Sequence, residues 1–314
     1  MGYEEEIISL SEKFSYRVKS EICSSLTDKD KRFACLYGIS LFARTINNSE
    51  FCFQTESRVI YELYPSLFGE IFGRNVKLTS SCTEKSNRSN LYTFSVKKDD
   101  GLDLFYRTLH ISPDNLSIEL SNIDNNNIGI FTAGVFLSCG SISNPSKEYH
   151  FEFSISNYNL YCDMEKILHS IGMPFKMVKR RNLYVMYLKE SESIQDMITF
   201  IGASRCTIEL INITIYKNIK NKANRVNNCE VANLDKTVNA SLKQRQDIAV
   251  IQKLMGLENL PANLRETAML RMEQPDASLK ELGELHDKPI GRSGINHRLK
   301  KIAEIAQNLR NGEI

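Results

Sequence analysis

The chain has 314 residues, 42% of them apolar and 25% charged, with a formal net charge of +2. That is enough for two or three domains with ample cores, in the composition of a soluble globular protein. The longest apolar runs, 33–43 and 128–139, are too short to cross a bilayer; acidic residues follow Met1 where a leader would be apolar; and none of the eight cysteines forms a C-x-x-C pair or sits with histidine at metal-ligand spacing. These features speak against a membrane partner, a disulfide scaffold and a zinc site, and the expected setting is the reducing cytoplasm.

In chain order, residues 33–46 read as a small, apolar helix carrying Gly38. An alternating strand follows at 51–55, then a helix at 56–72, strands at 75–81 and 90–96, and a closing helix at 99–108. The polar run 122–127 leads into a second set: a helix at 128–142 with Gly134, a strand at 149–155, a helix at 158–171, strands at 175–179 and 183–188, and a helix at 191–201. Gly38 and Gly134 hold equivalent places 96 residues apart. The order αβαββα, read twice, predicts a two-fold pseudo-repeat. Glycine in a helix interior costs about 0.5–1 kcal/mol relative to alanine. Its recurrence in both halves therefore predicts that these two helices cross closely at the pseudo-symmetry axis.

Beyond residue 201 the character changes. Asn and Lys crowd the stretch 216–228, expected as a polar linker, and a long helix is expected at 229–254, ended by Gly256. Pro261 starts another helix reaching about 272, and Pro275 precedes the last pair. The run 221–239 reads either as a solvated linker or as a phosphate-contacting surface. From Lys217 onward there are 17 Lys and Arg against 12 Asp and Glu, a net of +5, while the remainder carries 23 against 26. That modest asymmetry places any polyanion contact in the C-terminal third.

The last pair of helices, within 277–310, has the pattern of a helix-turn-helix. Leu279, Leu282 and Leu285, with Gly283 among them, supply the first packing face. In the second helix Ile295, Leu299, Ile302 and Ala306 share one face, and Ser293, His297, Lys300 and Glu304 lie opposite, flanked by Asn296 and Lys301. Ser293 is the expected N-cap. In a helix-turn-helix the start of the second helix enters the major groove. Ser293, Asn296, His297 and Lys300 would then approach base edges, while Arg292, Arg298 and Lys301 would meet phosphates. On pattern alone the pair is equally an ordinary helical hairpin with a solvated charged face, and its turn, 286–292, is longer than usual. No phosphate-binding loop, nucleophile elbow or H-E-x-x-H motif is present. His110, His150 and His169 are dispersed and read as strand-surface or core residues.

Together the duplicated helices with Gly38 and Gly134, the stretch Asn224-Arg-Val-Asn-Asn-Cys-Glu-Val-Ala-Asn-Leu-Asp-Lys-Thr-Val-Asn-Ala240, the terminal Asp276-Ala-Ser-Leu-Lys-Glu-Leu-Gly-Glu-Leu and Ser293-Gly-Ile-Asn-His-Arg-Leu-Lys-Lys-Ile302, and the opening Ser15-Tyr-Arg-Val-Lys-Ser-Glu-Ile22 closely resemble the WhiA family across essentially the whole chain. The resemblance implies an α+β fold: a duplicated αβαββα domain like the LAGLIDADG homing endonucleases, followed by an all-α helix-turn-helix domain. The expected divisions are an extension at 1–14, the duplicated domain at 15–215 with halves 15–121 and 128–215, the linker at 216–228 and the DNA-binding domain at 229–314. It also implies double-stranded DNA as partner, association with the nucleoid, and roles in transcription control, cell division, chromosome segregation and, in sporulating relatives, sporulation. Actinobacterial relatives act with a WhiB-like regulatory partner. Homing endonucleases hold divalent metals on one carboxylate from each paired helix. Matching the two helices to that motif puts Ala43 and Cys139 at the carboxylate positions, and neither suits Mg²⁺, which takes oxygen ligands. The expectation is a fold kept without its cleavage chemistry and without a cofactor. A residual endonuclease and a division-apparatus protein with incidental DNA contact are the competing readings.

Overall fold

The computed structural model describes residues 13–84 and 90–312, in two compact units, Met1–Lys217 and Asn218–Ile314. Residues 1–12 of the expected extension lie outside the described residues; its last residue, Phe14, already belongs to a helix, α1 (Phe14–Ser25). Phe14, Val18 and Ile22 recur every fourth residue and are buried as one face.

The first half then runs α2 (Lys29–Leu41), β1 (Thr45–Ile46), β2 (Glu50–Thr55), α3 (Arg58–Phe72), β3 (Thr79–Glu84), β4 (Asn90–Lys97) and α4 (Leu102–Thr108). The second runs α5 (Ile128–Cys139), β5 (Gly140–Ile142), β6 (Phe151–Ile155), α6 (Tyr158–Ser170), β7 (Lys176–Arg180), β8 (Leu183–Leu188) and α7 (Ser191–Phe200). The two antiparallel sheets have matching strand orders, β1-β2-β4-β3 and β5-β6-β8-β7. Each half thus contains one short strand more than the pattern predicts, because two or three residues are too few to show alternation. Alternation does place the inner faces. Phe53 pairs with Phe94 and Phe153 with Met186 in register, and all four side chains are buried. Strand β3 begins four residues later than expected and is exposed along its whole length.

Helices α2 and α5 cross at the two glycines. The Cα atoms come so close that a Cβ on Gly38 would lie 2.3 Å from the Phe131 carbonyl oxygen and 3.1 Å from the Cα of Gly134. A Cβ on Gly134 would lie 2.3 Å from the Cys35 carbonyl oxygen. Both helices are buried on nearly every side at this level, so the usual polar face of a surface helix is missing. Ser138 extends the contact by donating to the Phe42 carbonyl at 2.8 Å.

After α7 a single helix, α8 (Ser204–Leu254), continues for 51 residues. It begins 25 residues before the expected helix start at 229, and the polar run 216–228 lies inside it. The Asn- and Lys-rich composition looks like a loop, but no Gly or Pro interrupts 204–254 and the backbone continues as a helix. The Glu21 carboxylate accepts from the amides of Arg205 and Cys206 at 2.7 and 2.9 Å, satisfying first-turn donors of α8. Gly256, at φ +82°, follows its end, as expected.

In the C-terminal unit α8 is followed by α9 (Ala262–Glu273), α10 (Leu279–Glu284) and α11 (Arg292–Asn311). Ile248 and Ile251 of α8 share a core with Leu264, Ala268, Leu282, Ile295, Leu299 and Ile302. The buried Asp247 carboxylate receives Arg310 at 2.8 Å, tying the two ends of this bundle together. Gly283 allows the turn to fold back: its carbonyl accepts from the Ile290 amide at 3.0 Å, and a Cβ there would lie 2.1 Å from the Ile290 carbonyl oxygen.

The glycine contacts are testable by thermal melting. Gly134→Ala should destabilise the N-terminal unit by ~1–3 kcal/mol or more, because the added methyl group has no space. Gly69→Ala, in a helix with nothing within 4 Å of the new Cβ, should instead raise stability by ~0.5–1 kcal/mol. Equal melting temperatures for the two variants would refute the close-crossing account. Gly283→Ala should cost ~1–3 kcal/mol by the same mechanism, and hydrogen exchange should quicken across 285–291; unchanged protection there would show that the turn is not anchored at Gly283.

Candidate nucleic-acid interface

The surface that matters is built around the seven-residue turn between α10 and α11. Ser278 caps α10 in a reciprocal capping box. Its hydroxyl accepts from the Glu281 amide at 3.3 Å, and the Glu281 carboxylate accepts from the Ser278 amide at 2.8 Å. Hydrogen bonds to the carboxylate from the Ser278 amide, and secondarily from the Ser278 hydroxyl, hold the Glu281 carboxyl below the usual carboxylate range. The S-x-x-E signal for this start is visible in the sequence. His286, buried in the turn, is fixed on both sides: its Nδ1 lies 2.8 Å from the Leu282 carbonyl and its Nε2 lies 2.9 Å from the Thr267 hydroxyl. A carbonyl can only accept, so Nδ1 bears a proton, while the Thr267 hydroxyl also donates to the Asn263 carbonyl at 3.0 Å.

Helix α11 buries Ile295, Leu299, Ile302 and Ala306. Around the rest of its N-terminal half, Arg292, Ser293, Asn296, His297, Lys300 and Lys301 are exposed. Two details differ from expectation. The N-cap is Gly291, and Ser293, in the first turn, makes no capping bond. The tie between Ile290 and Gly283 sets the chain direction, so the helix begins one residue before Ser293. Arg298, expected at a phosphate, is turned toward α9. Its Nη1 donates to the Asn263 carbonyl at 3.1 Å and to the Thr267 hydroxyl at 3.3 Å, with the Glu266 carboxylate 3.8 Å away. Arg298 therefore belongs with Thr267 and His286 to the network that sets the angle of α11.

Around the start of that helix lie residues that sequence reasoning missed, together with Lys236 from the run 221–239. Lys236 and Gln244 of α8, Arg271 of α9 and Lys280 of α10 join Arg292 and Asn296 in lining a cleft of about 420 Å³. No periodicity announces this set, because its members come from four helices.

In the N-terminal unit, Ala43 and Cys139 line one cleft of about 540 Å³ beside the ends of α2 and α5, together with Arg44, Gln54, Ser154 and Asn157. No Asp or Glu lines it. Burial pushes the Cys139 thiol up to about 12, so it stays a neutral thiol near pH 7. A methyl group and a protonated thiol do not fit a divalent metal that takes anionic oxygen ligands. Glu50, at the outer end of β2, and Glu148 are exposed and lie outside this cleft. Among the described residues no group of three or more His, Cys, Asp or Glu side chains is placed to hold a metal ion. His150 is instead paired with Glu152 at 2.8 Å, while His110 and His169 are exposed, in a turn and in the last turn of α6. All eight cysteines are free, and among the described residues no helix is long and apolar enough to cross a membrane.

Both units match domains of a known family. Residues 223–306 match the family model described as the WhiA C-terminal HTH domain, and 128–220 match the WhiA LAGLIDADG-like domain. The chain is 37% identical over 311 residues to a probable cell division protein WhiA of Clostridium acetobutylicum, covering 95% of this chain and 98% of the relative. It is 39% identical over 313 residues to the protein of the same name from Clostridium botulinum strain Eklund 17B, covering 95% and 99%. In fold it is similar to the full-length DUF199/WhiA crystal structure from Thermatoga maritima, with a TM-score of 0.54 at 22% identity, covering 95% of this chain and 99% of that one. With 37% identity to one of its members over 95% of the chain and matches to both WhiA domain models, this chain belongs to the WhiA family.

Proposed function

We propose that this protein is a sequence-specific, double-stranded-DNA-binding transcriptional regulator serving cell division and chromosome segregation, located at the nucleoid. The observation that carries this reading is the division of α11: one face is consumed by the core, and the other presents Ser293, Asn296, His297 and Lys300 without any structural use for them. Asn and His side chains offer hydrogen-bonding groups suited to base edges, and Lys300 adds charge. Arg292 and Lys301, on the flanks, would neutralise phosphates irrespective of sequence. Arg298 acts through its bonds to Asn263 and Thr267, holding the helix at the angle the groove requires.

The duplicated domain serves in this reading as a scaffold and docking platform, with no cleavage step assigned to it. Hydrolysis of a phosphodiester by this fold needs carboxylates that share metal ions between attacking water and leaving oxygen, and Ala43 and Cys139 offer none.

Two measurements test the proposal. In fluorescence anisotropy at fixed salt, Asn296→Ala and His297→Ala should each lower discrimination between a specific site and a scrambled one by ~1–3 kcal/mol. Lys300→Ala should weaken affinity by a similar amount; unchanged affinity and selectivity in all three would remove α11 as the reading helix. In a plasmid-nicking assay with Mg²⁺ or Mn²⁺, no product should accumulate. Metal-dependent cutting lost on Glu50→Gln or Glu148→Gln would establish an endonuclease instead.

A further inference from the structure

The cleft at the start of α11 has features that packing alone does not account for. Arg271 lines it although only 2% of the residue is exposed. Its Nη1 donates to three carbonyls, those of Gln274, Pro275 and Ala277, at 3.4, 3.4 and 2.7 Å, while its Nε has no partner. Among the described residues no carboxylate pairs with it, and burial alone lowers its pKa. The Gln244 Oε1, also at the cleft, is buried without a partner.

Around this buried cation, Lys236, Lys280 and Arg292 are exposed at the walls, and no Asp or Glu lines the cleft. Lys280 lies 3.9 Å from the exposed Glu284, and its charge also acts on Glu281. The cleft also contains the first residue of α11, a helix of 20 residues whose N-cap, Gly291, has no side chain to accept from the first-turn amides. Those orphan donors and the positive end of the helix dipole favour an anion. Four cationic side chains, a buried guanidinium among them, a helix start and no acid make a site for a phosphate group.

We propose that this cleft seats a backbone phosphate of the DNA strand that α11 reads, so that the 236–244 stretch of α8 is part of the DNA interface. This rests on the DNA-binding reading and names a contact outside the helix-turn-helix itself. The cleft fixes the register of α11 on the duplex, and Lys236 and Lys280 close over the phosphate from opposite walls. Of the two readings of 221–239, the proposal takes the contact surface, at Lys236.

The test uses the full chain and a labelled duplex of mixed sequence, with binding followed from roughly 50 to 200 mM salt. Each neutralised phosphate contributes ~0.9 to the slope of log K against log salt. With one phosphate seated, Lys236→Ala/Lys280→Ala should flatten that slope by about 0.9, so its affinity should fall ~3.5-fold less than that of the unaltered protein across the range. Lys243→Ala, an exposed lysine of the same helix outside the cleft, should retain the full slope. An unchanged slope in the double variant, with α11 variants still impaired, would overturn the cleft and leave the DNA-binding reading intact. Absence of any salt-dependent binding by the unaltered chain would overturn both. Inorganic pyrophosphate serves as the second probe. If it raises the melting temperature of the unaltered chain but not of the double variant, and the two slopes are equal, the cleft takes a free phosphate and the DNA assignment falls.

Discussion

The N-terminal fold depends on the backbone contact between α2 and α5. Two helices that bury nearly all their sides cannot be separated by ordinary side chains at their crossing, because the groups next in line are carbonyl oxygens 2.3 Å from where a Cβ would be. That closeness brings the two halves into register, since each sheet packs against a helix of the crossed pair. It also places Ala43 and Cys139 in the same cleft. In an endonuclease such proximity lets two carboxylates share metal ions. Here the cleft holds a methyl group and a neutral thiol at these two residues, and no carboxylate lines it.

The C-terminal unit follows the same economy with different means. Gly283 lets the turn fold back on α10, and His286, Thr267 and Arg298 form one hydrogen-bonded group between α9, the turn and α11. A buried polar network of this kind is costly unless every member is satisfied, and when satisfied it holds a single geometry. Helix α11 is therefore held from beneath by apolar packing and from the side by hydrogen bonds, so its exposed residues keep a fixed mutual arrangement. A surface that reads base edges needs that rigidity.

Charge is distributed to match. The C-terminal third has a net of +5 while the rest is slightly acidic; four basic residues and no acid occur in 217–228 of α8, and four more basic residues line the cleft where α8, α9, α10 and the start of α11 meet. A modest total thus becomes a locally strong field, because no carboxylate lines that cleft.

Much of this was legible in the residues. The 96-residue spacing of Gly38 and Gly134 revealed the duplication, and a 3.6-residue period correctly assigned Ile295, Leu299, Ile302 and Ala306 to the core. Both are local or repeated signals, which a linear reading can capture. The strands β1 and β5 were too short to alternate, and the helical nature of 216–228 was hidden by a loop-like composition. Ser293 was passed over as a cap because a long-range bond between Ile290 and Gly283 decided where α11 begins. Arg298 was turned inward by carbonyl and hydroxyl groups on another helix, and the cleft around Arg271 draws on four helices at once. Period and propensity determine which face of an element is apolar; only packing determines which polar groups from distant segments meet, because that depends on angles between elements that no single stretch of chain encodes.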